Sequence, residues 1–333
     1  TVVNAFGDLD TRSPRYFGQG VGATSVLAGD VTIGLYDALD NLKEVLGIDD
    51  LSQATMFATS SAAGGLRMTV HGLAFEMTAR AAHEAALGAG AIVKMVTAGH
   101  LSEQDISELM QVRPNIILLA GGVDFGDKTT AIENAKKLAL VPLNVPVIYA
   151  GNKACHSEIA NIFAGSGKKL IIVANVYPRI DELNVEPARQ AIQEVFEEHI
   201  VHAPGMERIR EMVHGTIMPT PGAVMQAARQ LQQSIGDLVV IDVGGATTDV
   251  HSVTWGADEI ARITISPEPY AKRTVEGDLG VYINAKQVAM LIRPEESAKL
   301  DFNLEQVLQN WVPIPSTEEQ FAALEVLARK AVE

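Results

Sequence analysis

Between residues 92 and 199 short aliphatic runs alternate with segments of helical periodicity, a pattern that leaves few folds open. Runs at 92–96, 116–120, 147–150 and 170–173 have no polar alternation, as strands do when both their faces are covered. Helical spacing predicts helices over 103–110, 129–139, 155–163 and 186–199. Strands that alternate with helices imply a parallel, doubly wound sheet. An alanine-rich helical pattern over 72–87 precedes the first run, so residues 65–200 read as one α/β unit. Its loops at 120–124 and 150–152 are glycine-rich. Gly121, Gly122 and Gly151 either close strand-to-helix turns or line the edge where open α/β sheets bind ligands.

The flanking segments differ. Residues 1–35 carry short β-like runs at 1–6, 24–27 and 31–33, followed by a helix over 35–46 and a strand over 53–60 that runs into the small-residue turn 61–65. Beyond residue 203 a helical stretch over 206–212 leads to Pro219 and Pro221, and Pro221 suits the first turn of a helix over 223–233. Strands at 238–241, 249–254 and 260–265, joined by short turns, then predict an antiparallel meander.

Composition narrows the function. With 26 basic and 41 acidic residues the net charge is −15, which disfavours a nucleic-acid partner but not a nucleotide held by local N–H groups and Mg²⁺. Cys155 is the single cysteine, which excludes a disulfide framework within the chain and suits a reducing cytoplasm. No apolar run reaches membrane-spanning length and no signal peptide is evident. Homo-oligomerisation is left open. The first residue is Thr1 rather than Met, as expected of a segment internal to a longer protein.

The chemistry concentrates at 239–250, Val-Val-Ile-Asp-Val-Gly-Gly-Ala-Thr-Thr-Asp-Val. An aliphatic strand delivers Asp242 beside the open turn of Gly244 and Gly245, with Thr247, Thr248 and Asp249 following. A carboxylate next to backbone that lacks side chains can bring N–H groups and a Mg²⁺-binding oxygen to a polyphosphate. The competing reading is a plain hairpin turn. Thr247 is placed to donate to a phosphate, Thr248 alternates to the other face, and Asp249 either supports the site or pairs with a basic residue. Glu276 and Asp278 are spaced to aim two carboxylates at one metal, or else form a charged surface turn, with Arg273 either offsetting phosphate charge or exposed. The eight histidines form no metal-binding spacing, His251 either packs or is exposed, and no Asp-x-His-x-x-Gly pattern occurs.

The pattern Asp-x-Gly-Gly-x-Thr-x-Asp resembles the second phosphate loop of the actin, heat-shock chaperone and sugar-kinase ATPases. Together with the runs at 29–34, 58–66, 118–124, 242–253 and 266–280, the chain resembles the glutamate mutase accessory, or MutL-type, family over essentially its whole length. The resemblance implies an actin-like ATPase (ribonuclease H-like) α/β fold with an inserted doubly wound domain: a first subdomain over 1–64, the insert over 65–202 and a second subdomain over 203–333. It implies ATP and Mg²⁺ as cofactors, with Asp242 catalytic, with Gly244, Gly245, Thr247, Thr248 and Thr1 against the nucleotide, and with Asp242, Glu276 and Asp278 at the metal. Thr1 would be the last residue of a first phosphate loop lying before this chain, and the adenosine-binding Gly-Gly motif has no equivalent before Glu333. The implied function is ATP-dependent reactivation of an adenosylcobalamin (B12)-dependent aminomutase of the glutamate mutase type, by release of damaged cobalamin. A small-molecule kinase or hydantoinase-type ATPase on the same fold is the alternative. A radical-dehydratase activator would need paired cysteines, which Cys155 alone cannot supply.

Overall fold

The computed structural model describes residues 1–8, 13–25, 29–61, 66–200, 205–264 and 267–333. Strands β1 (Val2–Gly7) and β2 (Arg15–Val21) form an antiparallel hairpin. It packs on helix α1 (Val31–Leu46), which approaches closely because β2 carries glycines: a Cβ at Gly20 would lie 2.0 Å from the Ala38 carbonyl oxygen. Residues 31–33, expected as a β run, form the first turn of α1. Asp30 caps that turn by accepting the Thr32 N–H at 2.8 Å, which satisfies a donor the helix itself cannot. Of the expected strand 53–60 only β3 (Thr59–Ser60) forms. Residues 26 and 27 of the expected run 24–27, and 62–65 of the expected turn, lie outside the described residues.

Next come β4 (Arg67–Gly72), a π-helical turn (Phe75–Ala79), α2 (Arg80–Gly88), β5 (Ile92–Ala98), α3 (Glu103–Val112), β6 (Ile116–Leu119), α4 (Thr129–Leu140), β7 (Val147–Tyr149), α5 (His156–Ala164), β8 (Leu170–Ile172) and α6 (Glu186–Ile200). The five strands form one parallel sheet in the order β5-β4-β6-β7-β8. Alternate residues serve two cores. Ile116, Leu118 and Ile148 face α2 and α6, whereas Ile117, Leu119, Val147 and Tyr149 face α3, α4 and α5. That two-sided burial is why these strands are continuously apolar.

Strand β4, between β5 and β6, escaped the hydropathy pattern because Arg67, Thr69 and His71 interrupt it. Thr69 and His71 are wholly buried, and the imidazole satisfies itself on Thr97 Oγ1 at 2.8 Å and Thr69 Oγ1 at 3.0 Å. The sheet's C-terminal edge is tied together by buried Asn152, which accepts the Phe125 N–H at 2.9 Å and donates to the Asp127 carbonyl at 3.0 Å. Gly121 and Gly151 allow the two loops there to touch, since a Cβ on Gly151 would lie 2.2 Å from the Gly121 nitrogen.

The remaining described elements are α7 (Met206–Met212), β9 (Met218–Pro219), α8 (Thr220–Ile235), β10 (Leu238–Val243), β11 (Thr248–Val253), α9 (Asp258–Ile263), β12 (Ala271–Glu276), α10 (Ala285–Met290), α11 (Pro294–Ser297), α12 (Leu304–Gln309) and α13 (Glu318–Val332). Pro221 falls in the first turn of α8, as its fixed φ favours. Strand β9 pairs in parallel with β3. Strands β10, β11 and β12 form the expected antiparallel meander, but its third strand is Ala271–Glu276, whereas residues 260–263 of the predicted run 260–265 lie in α9, and residue 265 lies outside the described residues. Lys272 and Arg273 hid β12 from a hydropathy reading. No helix among the described residues is long and apolar enough to cross a membrane.

Candidate functional site

The meander's register sets the site. Val243 pairs with Thr248, which leaves Gly244, Gly245, Ala246 and Thr247 as the connection between β10 and β11. The turn closes on itself through the Gly244 N–H, which donates to the Thr247 carbonyl at 2.8 Å. Residues 281–284 support it from behind. The N–H of Val281 donates to the Gly244 carbonyl at 3.0 Å, and those of Tyr282 and Ile283 donate to the Gly245 carbonyl at 2.9 and 2.7 Å. The Asn284 amide donates to the Ala246 carbonyl at 2.7 Å. Gly280 makes this approach feasible, because a Cβ there would lie 2.2 Å from the Ala246 carbonyl carbon.

Holding three successive carbonyls on one side has a consequence for the other. Every peptide bond among the described residues is trans, and the N–H of a trans peptide points opposite its C=O. The N–H groups of Gly245, Ala246 and Thr247 therefore turn away from the support, in the manner of an anion-binding backbone concavity. A Cβ at Gly245 would meet only Tyr282 Cβ, at 3.4 Å, so the loop is open around that residue.

Asp242 lies half-buried directly across from Asp249, on the same face of the meander. Among the described residues its carboxylate has no hydrogen-bond or ion-pair partner. Burial, and then the Asp249 charge, push its pKa above the ordinary carboxylate value, while Arg273 opposes them. A cation at this carboxylate would relieve both penalties on the charged form. Asp249, by contrast, is fully committed. Its Oδ1 accepts Arg273 Nε at 2.6 Å and its Oδ2 accepts the Thr247 hydroxyl at 3.1 Å, and both members of the ion pair are buried. Asp249 does pair with a basic residue while also accepting a hydroxyl of the loop, and Arg273 is buried rather than exposed.

The other candidate residues separate. Thr248 is buried on the opposite face and donates its hydroxyl to the Leu279 carbonyl at 2.6 Å, so it is occupied structurally rather than turned to the loop. Glu276 stands across from Thr248, exposed, and Asp278 is exposed in the turn that follows. Among the described residues no three His, Cys, Asp or Glu side chains converge on a metal position, so Asp242, Glu276 and Asp278 do not form a carboxylate cluster. Thr1 lies on the separate β1–β2 hairpin, where its amino nitrogen donates to the Gly22 carbonyl at 2.9 Å. His251 is wholly buried with both ring nitrogens unpartnered, and burial followed by the Arg273 charge lowers its pKa to about 4.

Sequence reasoning missed the support at 281–284. The visible signal was Gly280, whose buried contact with Ala246 only the tertiary arrangement exposes. The residues present fit a magnesium polyphosphate: an unpaired carboxylate, three outward N–H groups, and Thr247 as a hydroxyl donor. Mg²⁺ typically takes one or two protein carboxylates and completes its shell with water and phosphate, so the lack of a three-carboxylate cluster is no obstacle.

Comparison with known proteins matches the whole of residues 1–333 to the family model described as MutL protein. Protein MutL of Clostridium tetanomorphum is 43% identical over 279 residues, covering 80% of this chain and 60% of that protein. The chain thus spans about 60% of the length of the curated relative it matches.

Proposed function

The chain belongs to the MutL protein family, and on that premise we propose that it forms the phosphate-binding part of an ATP-dependent reactivating factor for an adenosylcobalamin-dependent aminomutase of the glutamate mutase type. The observation that carries the reading is the loop 244–247, with its carbonyls held behind and its N–H groups outward beside the unpaired Asp242. In this reading the fold is actin-like, divided at 1–64, 65–202 and 203–333, and the protein acts in the cytoplasm. Magnesium ATP, when bound, would supply the phosphoanhydride bond whose hydrolysis drives release of damaged cobalamin from the aminomutase.

The chain's own residues have positional and electrostatic tasks, which is most of what phosphoryl transfer asks of a protein. Asp242 holds the cation or its waters. The N–H groups of Gly245, Ala246 and Thr247 bind phosphate oxygens, and the glycines keep side chains out of the way. Thr247 donates its hydroxyl to the same anion.

The test uses the full-length protein with an aminomutase inactivated by a bound cobalamin analogue. Mg·ATP hydrolysis and analogue release are expected together. Asp242→Ala should abolish both while the far-ultraviolet circular dichroism is retained. ATP turnover with no release, accompanied by a phosphorylated or ring-opened small molecule, would replace this reading with the metabolic-enzyme alternative.

A further inference from the structure

One chain of contacts leaves the glycine loop and ends at the turn between α2 and β5. Thr247 Oγ1 donates to Asp249 Oδ2 at 3.1 Å, and Asp249 Oδ1 accepts Arg273 Nε at 2.6 Å. Arg273 then extends its Nη1 to the carbonyls of Leu87 and Ala91, at 3.2 and 3.3 Å. Leu87 lies in the last turn of α2, and Ala91 immediately precedes β5 of the five-stranded sheet. A single buried side chain therefore joins the second β-strand of the loop to the turn between α2 and β5. Both side chains are shielded from water, the Asp249 and Arg273 side chains being 7% and 4% exposed.

We infer that Arg273 is a positioning residue that couples occupancy of the glycine loop to the α2–β5 turn. The inference rests on the nucleotide reading above and goes beyond it, by naming the route through which the loop is felt elsewhere in the molecule. The physical basis is the hydroxyl of Thr247, which has one proton to donate. In the structure that proton goes to Asp249. A phosphate oxygen in the loop competes for it, and once Thr247 turns to the anion, Asp249 Oδ2 loses its acceptor role. The buried carboxylate is then held by Arg273 alone and shifts toward it, and the guanidinium shares fewer of its donors with Leu87 and Ala91. Arg273 suits this task because its planar fork spans three acceptors at once, as a lysine ammonium on a flexible stem does not. Two further contacts tie α2 and its neighbour α6 to the meander. Arg189 Nη2 of α6 donates to the Ala271 carbonyl of β12 at 2.7 Å and to the Glu84 carbonyl of α2 at 3.4 Å, and Arg80 of α2 pairs with Glu268 at 2.6 Å, just before β12.

Amide hydrogen exchange on the full-length protein, with Mg·ATP at saturation for each variant, tests the coupling. In the wild type, Mg·ATP is expected to change protection across residues 85–92. In Arg273→Lys that nucleotide-dependent change should be lost, although the variant still binds. A purely structural strut would lower protection equally with and without nucleotide, so the difference between the two states is the decisive readout. Persistence of the change in Arg273→Lys would overturn the inference, as would a wild type that binds Mg·ATP with no change at 85–92. A wild type that does not bind Mg·ATP would overturn the nucleotide reading and this inference with it. Should Arg273→Lys fail to fold, Thr247→Val, with saturation by Mg·ATP verified by calorimetry, removes the hydroxyl that the loop and Asp249 share. It is expected to abolish the response at 85–92, and its persistence there would equally refute the coupling.

Discussion

Mild acid should destabilise this protein through two buried imidazoles, well above the pH at which most carboxylates titrate. His71 is wholly buried in the inner strand β4, and burial lowers its pKa from the ordinary 6.5 to about 4. The sign follows from which state binds the proton first. As pH falls below about 6.5 the unfolded chain takes up a proton that the folded protein refuses, so stability is lost across the window down to the folded pKa. With these two values the loss is about 2 kcal/mol near pH 5 and approaches about 3 kcal/mol below pH 4. His251, also buried and lowered to about 4, adds a loss of the same sign in the same window. Glu84 and Asp242, whose pKa values are raised, act in the opposite sense and gain stability on protonation closer to the carboxylate range. Urea unfolding midpoints measured between about pH 7 and pH 5 should show the decline. In His71→Gln the slope should flatten by up to about 1 kcal/mol per pH unit, whatever the variant's stability at neutral pH. An unchanged slope would show that His71 titrates alike in the folded and unfolded states, and the argument from burial would fail.

Other perturbations report on the loop and on the sheet edge. Gly280→Ala places a methyl 2.2 Å from the Ala246 carbonyl carbon, so the loop must move; a loss of roughly 1–3 kcal/mol in urea unfolding, with weakened Mg·ATP binding by calorimetry, is expected. Asn152→Ala removes the buried amide that holds backbone groups of residues 125–127 and should cost about 1–2 kcal/mol, read from the same unfolding curves. Asp249→Asn leaves Arg273 buried beside a neutral amide and should lower stability by about 3 kcal/mol in thermal or urea unfolding.

The doubly wound unit was legible in the sequence because its physics is local. A strand covered on both faces must be apolar throughout, and its helices must show one apolar stripe, so β5, β6, β7, β8 and α3 to α6 all announce themselves. The loop after β10 was equally legible, since an acid, two glycines and two threonines at fixed offsets are a local motif. What the sequence could not disclose depends on partners distant along the chain. Strand β4 conceals itself because Thr69 and His71 satisfy each other only once folded, and β12 because Arg273 is buried only against Asp249 and the end of α2. The same holds for function. Residue types nominated Asp242, Thr248, Glu276 and Asp278 alike, whereas register left Asp242 unpaired among the described residues beside the loop, occupied Thr248 with Leu279, and set Glu276 and Asp278 out in solvent. Spacing determines which residues are near one another along a strand; only tertiary packing decides which charges find a partner and which remain for a ligand.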